Sequence, residues 1–166
     1  KVVVLCDMCY NTLKQTDVRV KESQSDLDTL NDFMDKENDY NKTVKLMHFL
    51  EFLRDEVGFA TLKKKVKKPL KGLKIMPYYG CMLLRPREVA IDDAEDPTIL
   101  SDLIKALGAE VVDNPYKIEC CGAYRTIEHK ELTSRRAKSI SNFALQHDAD
   151  MIMLSCPLCQ YNLDTR

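Results

Sequence analysis

The sequence predicts an α/β fold: a mostly parallel, Rossmann-like sheet covered by helices on both faces, with a helical segment before it. Three observations carry this. Short apolar runs, KVVVL at 1–5, LKIMP at 73–77, AEVVD at 109–113 and DMIML at 150–154, have the length of buried strands. Stretches of helical period separate the last three, which is the alternation a parallel sheet requires. Each cysteine group follows one of these apolar runs or the segment after it, where loops at the carboxyl ends of parallel strands converge.

Taken in order, KVVVL leads directly into CDMC, and the chain then reads as mainly helical to about residue 66. Val44, Met47, Leu50, Leu53 and Val57 recur at helical spacing, and Gly58 suits the stop. Pro69 and Gly72 mark a lysine-rich connection, and GLKIMPYYGC reads as a strand feeding a loop. Asp96 and Pro97 suit the cap and first residue of a helix striped by Leu100, Leu103, Ile104 and Leu107 and ended by Gly108. A further helix over Glu131 to His147, with Ile140, Phe143 and Ala144 inward, precedes DMIML.

At 166 residues the chain can hold one domain with a real core, or one domain and part of another. Its longest apolar runs fall short of the roughly 20 residues a membrane helix needs, and no signal-peptide pattern opens it, so a cytoplasmic location is expected. Net charge is −1, which supplies no global field for nucleic acid. The charge is nevertheless segregated, acidic over 26–40 and with seven lysines over 62–74. These read as a solvated helix face and a solvated connection, or as docking surfaces for charged partners.

Seven cysteines, Cys6, Cys9, Cys81, Cys120, Cys121, Cys156 and Cys159, arranged as CxxC and CC groups, read first as metal ligands or redox groups. Vicinal Cys120 and Cys121 are poorly placed to close a disulfide with each other. A CxxC after a strand opens the next helix, whose N–H groups favour thiolates, and Pro157 fits that first turn. Gly80 and Gly122 permit close backbone approach to a bulky ligand. CDMC and CPLC share their context, with Leu13 and Leu163 each seven residues after the first cysteine. They are expected to be equivalent points in two copies of one unit, the first copy and the carboxyl end both truncated.

The pattern Cys81-x38-Cys120-Cys121-x34-Cys156-x2-Cys159 resembles the cysteine-rich CCG domain of the heterodisulfide reductase B subunit and of related iron–sulfur subunits. VKKPLKGLKIMPYYGCMLLRP, DDAEDPT, LGAEVVD, IECCGAYRT and DADMIMLSCPLCQYNLD extend the likeness in order, and CDMCYNTL resembles the closing CxxC of a first such domain. The resemblance implies a carboxyl-terminal remnant of a first CCG repeat over 1–70 and a second CCG domain over 71–166. It further implies a noncubane 4Fe-4S cluster held by Cys81, Cys120, Cys121, Cys156 and Cys159. Cys6 and Cys9 would belong to an incomplete first site. The implied activity is reductive cleavage of a disulfide, with electrons arriving from a ferredoxin-like C subunit fed by a flavoprotein A subunit.

Two other readings of the thiols stay open: a structural zinc in an interaction module between redox partners, and thiol–disulfide exchange by Cys156 and Cys159. Arg85, Arg87 and Arg125 are candidate receivers of an anionic substrate tail, or ordinary surface arginines. His48 reads as a packed histidine, and His129, nearest the CCG loop, as a candidate proton relay; His147 lies farther on. Tyr78, Tyr79 and Tyr124 flank the cysteines and are expected to shield them from water.

Overall fold

In the computed structural model, which describes residues 1–34 and 38–165, every strand pairing is parallel. The α/β expectation holds. β1 (Val2–Val4) pairs with β2 (Leu46–His48) in a two-stranded sheet, joined through α1 (Asp7–Glu22) and α2 (Gln24–Phe33). After β2 come α3 (Phe49–Glu51), a π-helical turn over Phe52–Val57 and α4 (Phe59–Lys65). The second sheet has the order β4-β3-β5, with β3 (Lys74–Pro77) in the middle. α5 (Ile99–Leu107) leads to β4 (Glu110–Val111), and α6 (Lys130–Gln146) leads to β5 (Met151–Met153) and α7 (Pro157–Thr165).

β3 is buried through consecutive residues, Ile75 and Met76, as the middle strand of a covered parallel sheet must be. Ile99, Leu100, Leu103 and Ile104 form the inward stripe of α5, and Ile140 and Ala144 that of α6. The largest core cluster joins the two sheets: Tyr10 from α1 and Leu46 and Leu50 around β2 pack with Tyr79, Leu83, Leu84 and Leu100. Asn11, buried on α1, donates to the carbonyls of Met82 and Arg85 at 2.6 and 2.7 Å, tying that helix to the loop after Cys81.

Two expectations need correction. The helical period through Val44, Met47 and Leu50 spans a strand, because Leu46–His48 pairs with β1 and is buried on both faces, where helix and strand patterns coincide. The backbone turns helical only after His48. Its ring Nδ1 accepts from the Leu50 amide at 3.2 Å, and Glu51 accepts from the His48 amide at 2.8 Å. Finally, α5 starts at Ile99, two residues beyond Pro97. Asp92 accepts from the Thr98 and Ile99 amides at 2.7 Å and the Tyr79 hydroxyl from Leu100 at 3.0 Å, so side chains distant in sequence do the capping.

Of the segregated charge, Asp35, Lys36 and Glu37 lie outside the described residues, as does Arg166. Lys63, Lys64, Lys65, Lys67, Lys68, Lys71 and Lys74 are exposed around the end of α4 and the turn that follows it. No described helix is long and apolar enough to cross a membrane.

Candidate metal centre

Three loops at the carboxyl edge of the second sheet carry the thiols of residues 81–159. Cys81 follows β3, in a turn closed by the Leu84 and Arg85 amides donating to its carbonyl. The Tyr79 and Gly80 amides both donate to the Lys117 carbonyl, at 2.8 and 3.2 Å, which clamps this loop to the one bearing Cys120 and Cys121. Buried Tyr78 adds a bond from its hydroxyl to the Glu119 carbonyl at 2.7 Å. Cys156 directly precedes α7 and Cys159 lies in its first turn, as the CxxC and Pro157 predict.

Two glycines make the approach possible. Gly80 has φ 65°, and a Cβ there would stand 3.1 Å from the Cys159 sulfur. Gly122 has φ 84°, and its amide donates to the Cys120 sulfur at 3.3 Å. The left-handed conformation is costly for other residues, which suits glycine at this turn.

The five sulfurs form one contiguous array. Cys81 and Cys120 are hydrogen-bonded at 3.6 Å, close to the roughly 3.8 Å expected for two thiolates on one tetrahedral metal with bonds of about 2.3 Å. Cys121, Cys156 and Cys159 pack in one buried cluster beside them, and the neighbouring thiols shift one another's ionisation. Cys120 is held far below the usual thiol range by protons shared first from Cys121 and then from Cys81, with the Gly122 amide and Arg136 adding to the effect. Cys156 is lowered to about 7, chiefly by Cys159 and also by the amides of α7's first turn. Sharing with Cys120 raises Cys81 and Cys121, and sharing with Cys121 and Cys156 raises Cys159. Neighbouring thiolates repel, so the array keeps protons in the absence of a cation; a metal reverses this and deprotonates its ligands.

The donor set fits a sulfur-ligated metal group. Five soft ligands suit iron or zinc, and the buried Ser155 hydroxyl beside Cys156 has no hydrogen-bond partner among the described residues. Single-ion geometry is another matter. Among the described residues no three or more His, Cys, Asp or Glu side chains are arranged as a site for one metal ion.

Cys6 and Cys9 stand apart from that string but near it. Cys6 caps α1, accepting from the Cys9 amide at 3.3 Å, and the two sulfurs lie 2.6 Å apart. The Cys9 thiol is raised, first by its hydrogen bond to Cys6 and in small part by the charge of Cys156. Between them Asp7 is buried, with one oxygen 3.2 Å from Nε2 of equally buried His48. His48 is thus a packed residue joining β2 to the first CxxC loop.

Among the other candidates, Tyr78 lies within the thiol array, its hydroxyl pushed up by burial and then by the charges of Cys159 and its neighbours. Tyr79 points instead to the start of α5 and does not shield the thiols. Tyr124 is largely exposed near them. Arg85 pairs with Glu95 and Arg125 with Glu128, and Arg87 is also exposed. His129 precedes α6 and is exposed; His147 stacks on Phe143 at the far end of that helix.

Two residues at the site escape sequence reasoning. Arg136, one turn beyond Thr133 on α6, donates to the Cys120 carbonyl at 3.0 Å. Asn162, buried on α7, donates to the Cys121 sulfur at 3.6 Å. The signal for it is spacing: Asn162 lies three residues after Cys159 and so shares its helical face.

The three cysteine groups at this sheet edge fall within residues 75–164, which the CCG cysteine-rich domain matches. The chain belongs to the CCG domain family. It is 33% identical over 98% of its length to the 8-methylmenaquinol:fumarate reductase membrane anchor subunit of Wolinella succinogenes, covering 57% of that protein. It is 29% identical, again over 98% of its length, to the B subunit of the ferredoxin/F(420)H(2)-dependent CoB-CoM heterodisulfide reductase of Methanosarcina acetivorans, covering 55% of it. A protein of Archaeoglobus profundus named as like the heterodisulfide reductase B subunit matches at 29%, covering 56%. This CCG protein therefore spans a little over half the length of these relatives, which are named as subunits of reductases or as like them.

Proposed function

We propose that the chain is the iron–sulfur, disulfide-reducing part of a heterodisulfide reductase-like complex, with Cys81, Cys120, Cys121, Cys156 and Cys159 as ligands of a noncubane 4Fe-4S cluster. The single observation that carries this reading is the convergence of five thiols, more than one tetrahedral ion takes, with Cys81 and Cys120 in contact at 3.6 Å and Cys121, Cys156 and Cys159 packed in one buried cluster. The net reaction consumes two electrons and two protons and converts one disulfide into two thiols. When bound, the cluster supplies single electrons and a sulfur-binding iron.

The chain's own residues do the rest. Gly80 lets the strand-end backbone approach Cys159, and Tyr78 closes the protein side of the array against water. Arg136 fixes the Cys120 carbonyl and brings a cation beside the vicinal thiols. Burial and hydrogen bonds of this kind set cluster potentials. Residues 1–70 are read as the end of a first CCG repeat and 71–166 as a second, with Cys6 and Cys9 belonging to the first repeat's site. Electrons would come from a ferredoxin-like subunit, itself supplied by a flavoprotein subunit. Seven free cysteines suit a reducing, cytoplasmic setting.

Anaerobic purification followed by iron, sulfide, zinc and visible-absorption measurements tests the reading. Brown protein with iron and sulfide in stoichiometric amounts is expected. A colourless, zinc-loaded protein overturns it in favour of a structural metal module.

A further inference from the structure

We infer that Asn162, oriented by Thr126, is a positioning residue that tethers the Cys121 sulfur to α7 and raises the reduction potential of the metal group bound there. This rests on the proposal that the five cysteines are ligands.

Adjacent ligand thiols need separately fixed orientations to serve one site. Cys120 faces Cys81 and receives the Gly122 amide, while Arg136 holds its carbonyl. Cys121 lies beside Cys120 and packs with Cys159, and Asn162 donates to its sulfur at 3.6 Å.

Asn162 is only 1% exposed, so its amide needs partners at both ends. The Asn162 oxygen accepts from the Thr126 hydroxyl at 3.3 Å, which links the turn after the CCG motif to α7. A metal-bound thiolate has no proton to give, so it can be satisfied only by the NH2 end of the amide. The Thr126 hydroxyl serves either as donor or acceptor, and with NH2 toward sulfur it donates to the oxygen. The hydroxyl, amide and sulfur thus form a relay with one consistent direction, ending on a ligand atom.

A neutral donor on a ligand sulfur draws electron density from it and favours the reduced, more electron-rich state. Apart from the Thr126 link, the amide has no partner but the Cys121 sulfur among the hydrogen bonds of the described residues, and a buried amide without partners would be costly.

The test compares wild type, Asn162→Leu, Asn162→Asp and Thr126→Val as full chains prepared anaerobically. Two readouts are taken. Potentiometric titration followed by electron paramagnetic resonance reads the midpoint of iron-loaded protein. Amide hydrogen exchange over residues 119–126 reads the positioning in metal-free protein. Asn162→Leu is expected to lower the midpoint, Thr126→Val to lower it by less, and both to speed exchange several-fold. Asn162→Asp, which replaces the donor by a negative charge, is expected to lower the midpoint most. If Asn162→Leu does not fold, Thr126→Val, which removes one hydroxyl from a half-buried site, carries the test. An unchanged midpoint in fully loaded variants overturns the inference, as does unchanged exchange. Wild type that never takes up iron overturns the ligand reading instead, and the exchange comparison then decides the positioning on its own.

Discussion

The two CxxC motifs of this chain sit in the same local frame and meet different fates. Each follows a parallel strand and opens a helix, with its first cysteine at the cap. Yet Cys9 is exposed, whereas Cys156 and Cys159 are only 4% and 3% exposed. The difference lies in what surrounds them. CDMC adjoins a two-stranded sheet whose Val2 and Val3 remain exposed. CPLC meets Gly80, Tyr78 and the CCG loop, delivered by a three-stranded sheet whose middle strand is buried from Ile75 to Pro77. A CxxC at a helix start is thus half a site: the helix favours the thiolate, and neighbouring strands supply further ligands and exclude water.

Breaking each half in turn sharpens that contrast. The largest effect is expected from Cys121→Ser, which removes the middle link of the thiol string and should abolish iron binding at the second site. Cys9→Ser should leave that iron content unchanged, and elemental analysis of the two anaerobic proteins compares them directly. Loss of iron in both would mean that the first motif completes the second site. Next comes Asn11→Ala. It leaves the Met82 and Arg85 carbonyls without their donor, at a cost of roughly 1–3 kcal/mol each, and loosens the first region's hold on the Cys81 loop. Urea unfolding measures the loss, and an unchanged midpoint would show that the two regions are stabilised independently. The smallest effect is expected from Gly80→Ala, at about 1–2 kcal/mol for the left-handed backbone, plus whatever shift the Cys159 sulfur must make. Iron affinity should fall with stability here. A stable variant with intact iron would show that the approach at residue 80 has slack.

Much of this is legible in the sequence, and the reasons are local. Strand runs, the α5 and α6 stripes and Pro157 depend on neighbours within a few residues, so composition and period expose them. β2 reads as helix because a strand buried on both faces carries no alternation, and its partner β1 is more than 40 residues away. The start of α5 is displaced because Asp92 and Tyr79 cap it from a distance, overriding the local preference of Asp96 and Pro97. Among the candidate cations, Arg85 and Arg125 stand out by their closeness in sequence to cysteines, but each faces a surface carboxylate; Arg136 reaches Cys120 because α6 folds back over the CCG turn.

The sequence by itself determined the fold class, the cysteine groups and the two glycines beside them, since strand length, helical period and motif spacing are properties of short stretches of chain. Only the tertiary structure decided which thiols touch, which amides and guanidinium steady them, and that one CxxC is enclosed while the other is open. Those outcomes depend on the packing of strands and loops far apart in sequence, where a shift of an ångström separates a shared proton from none.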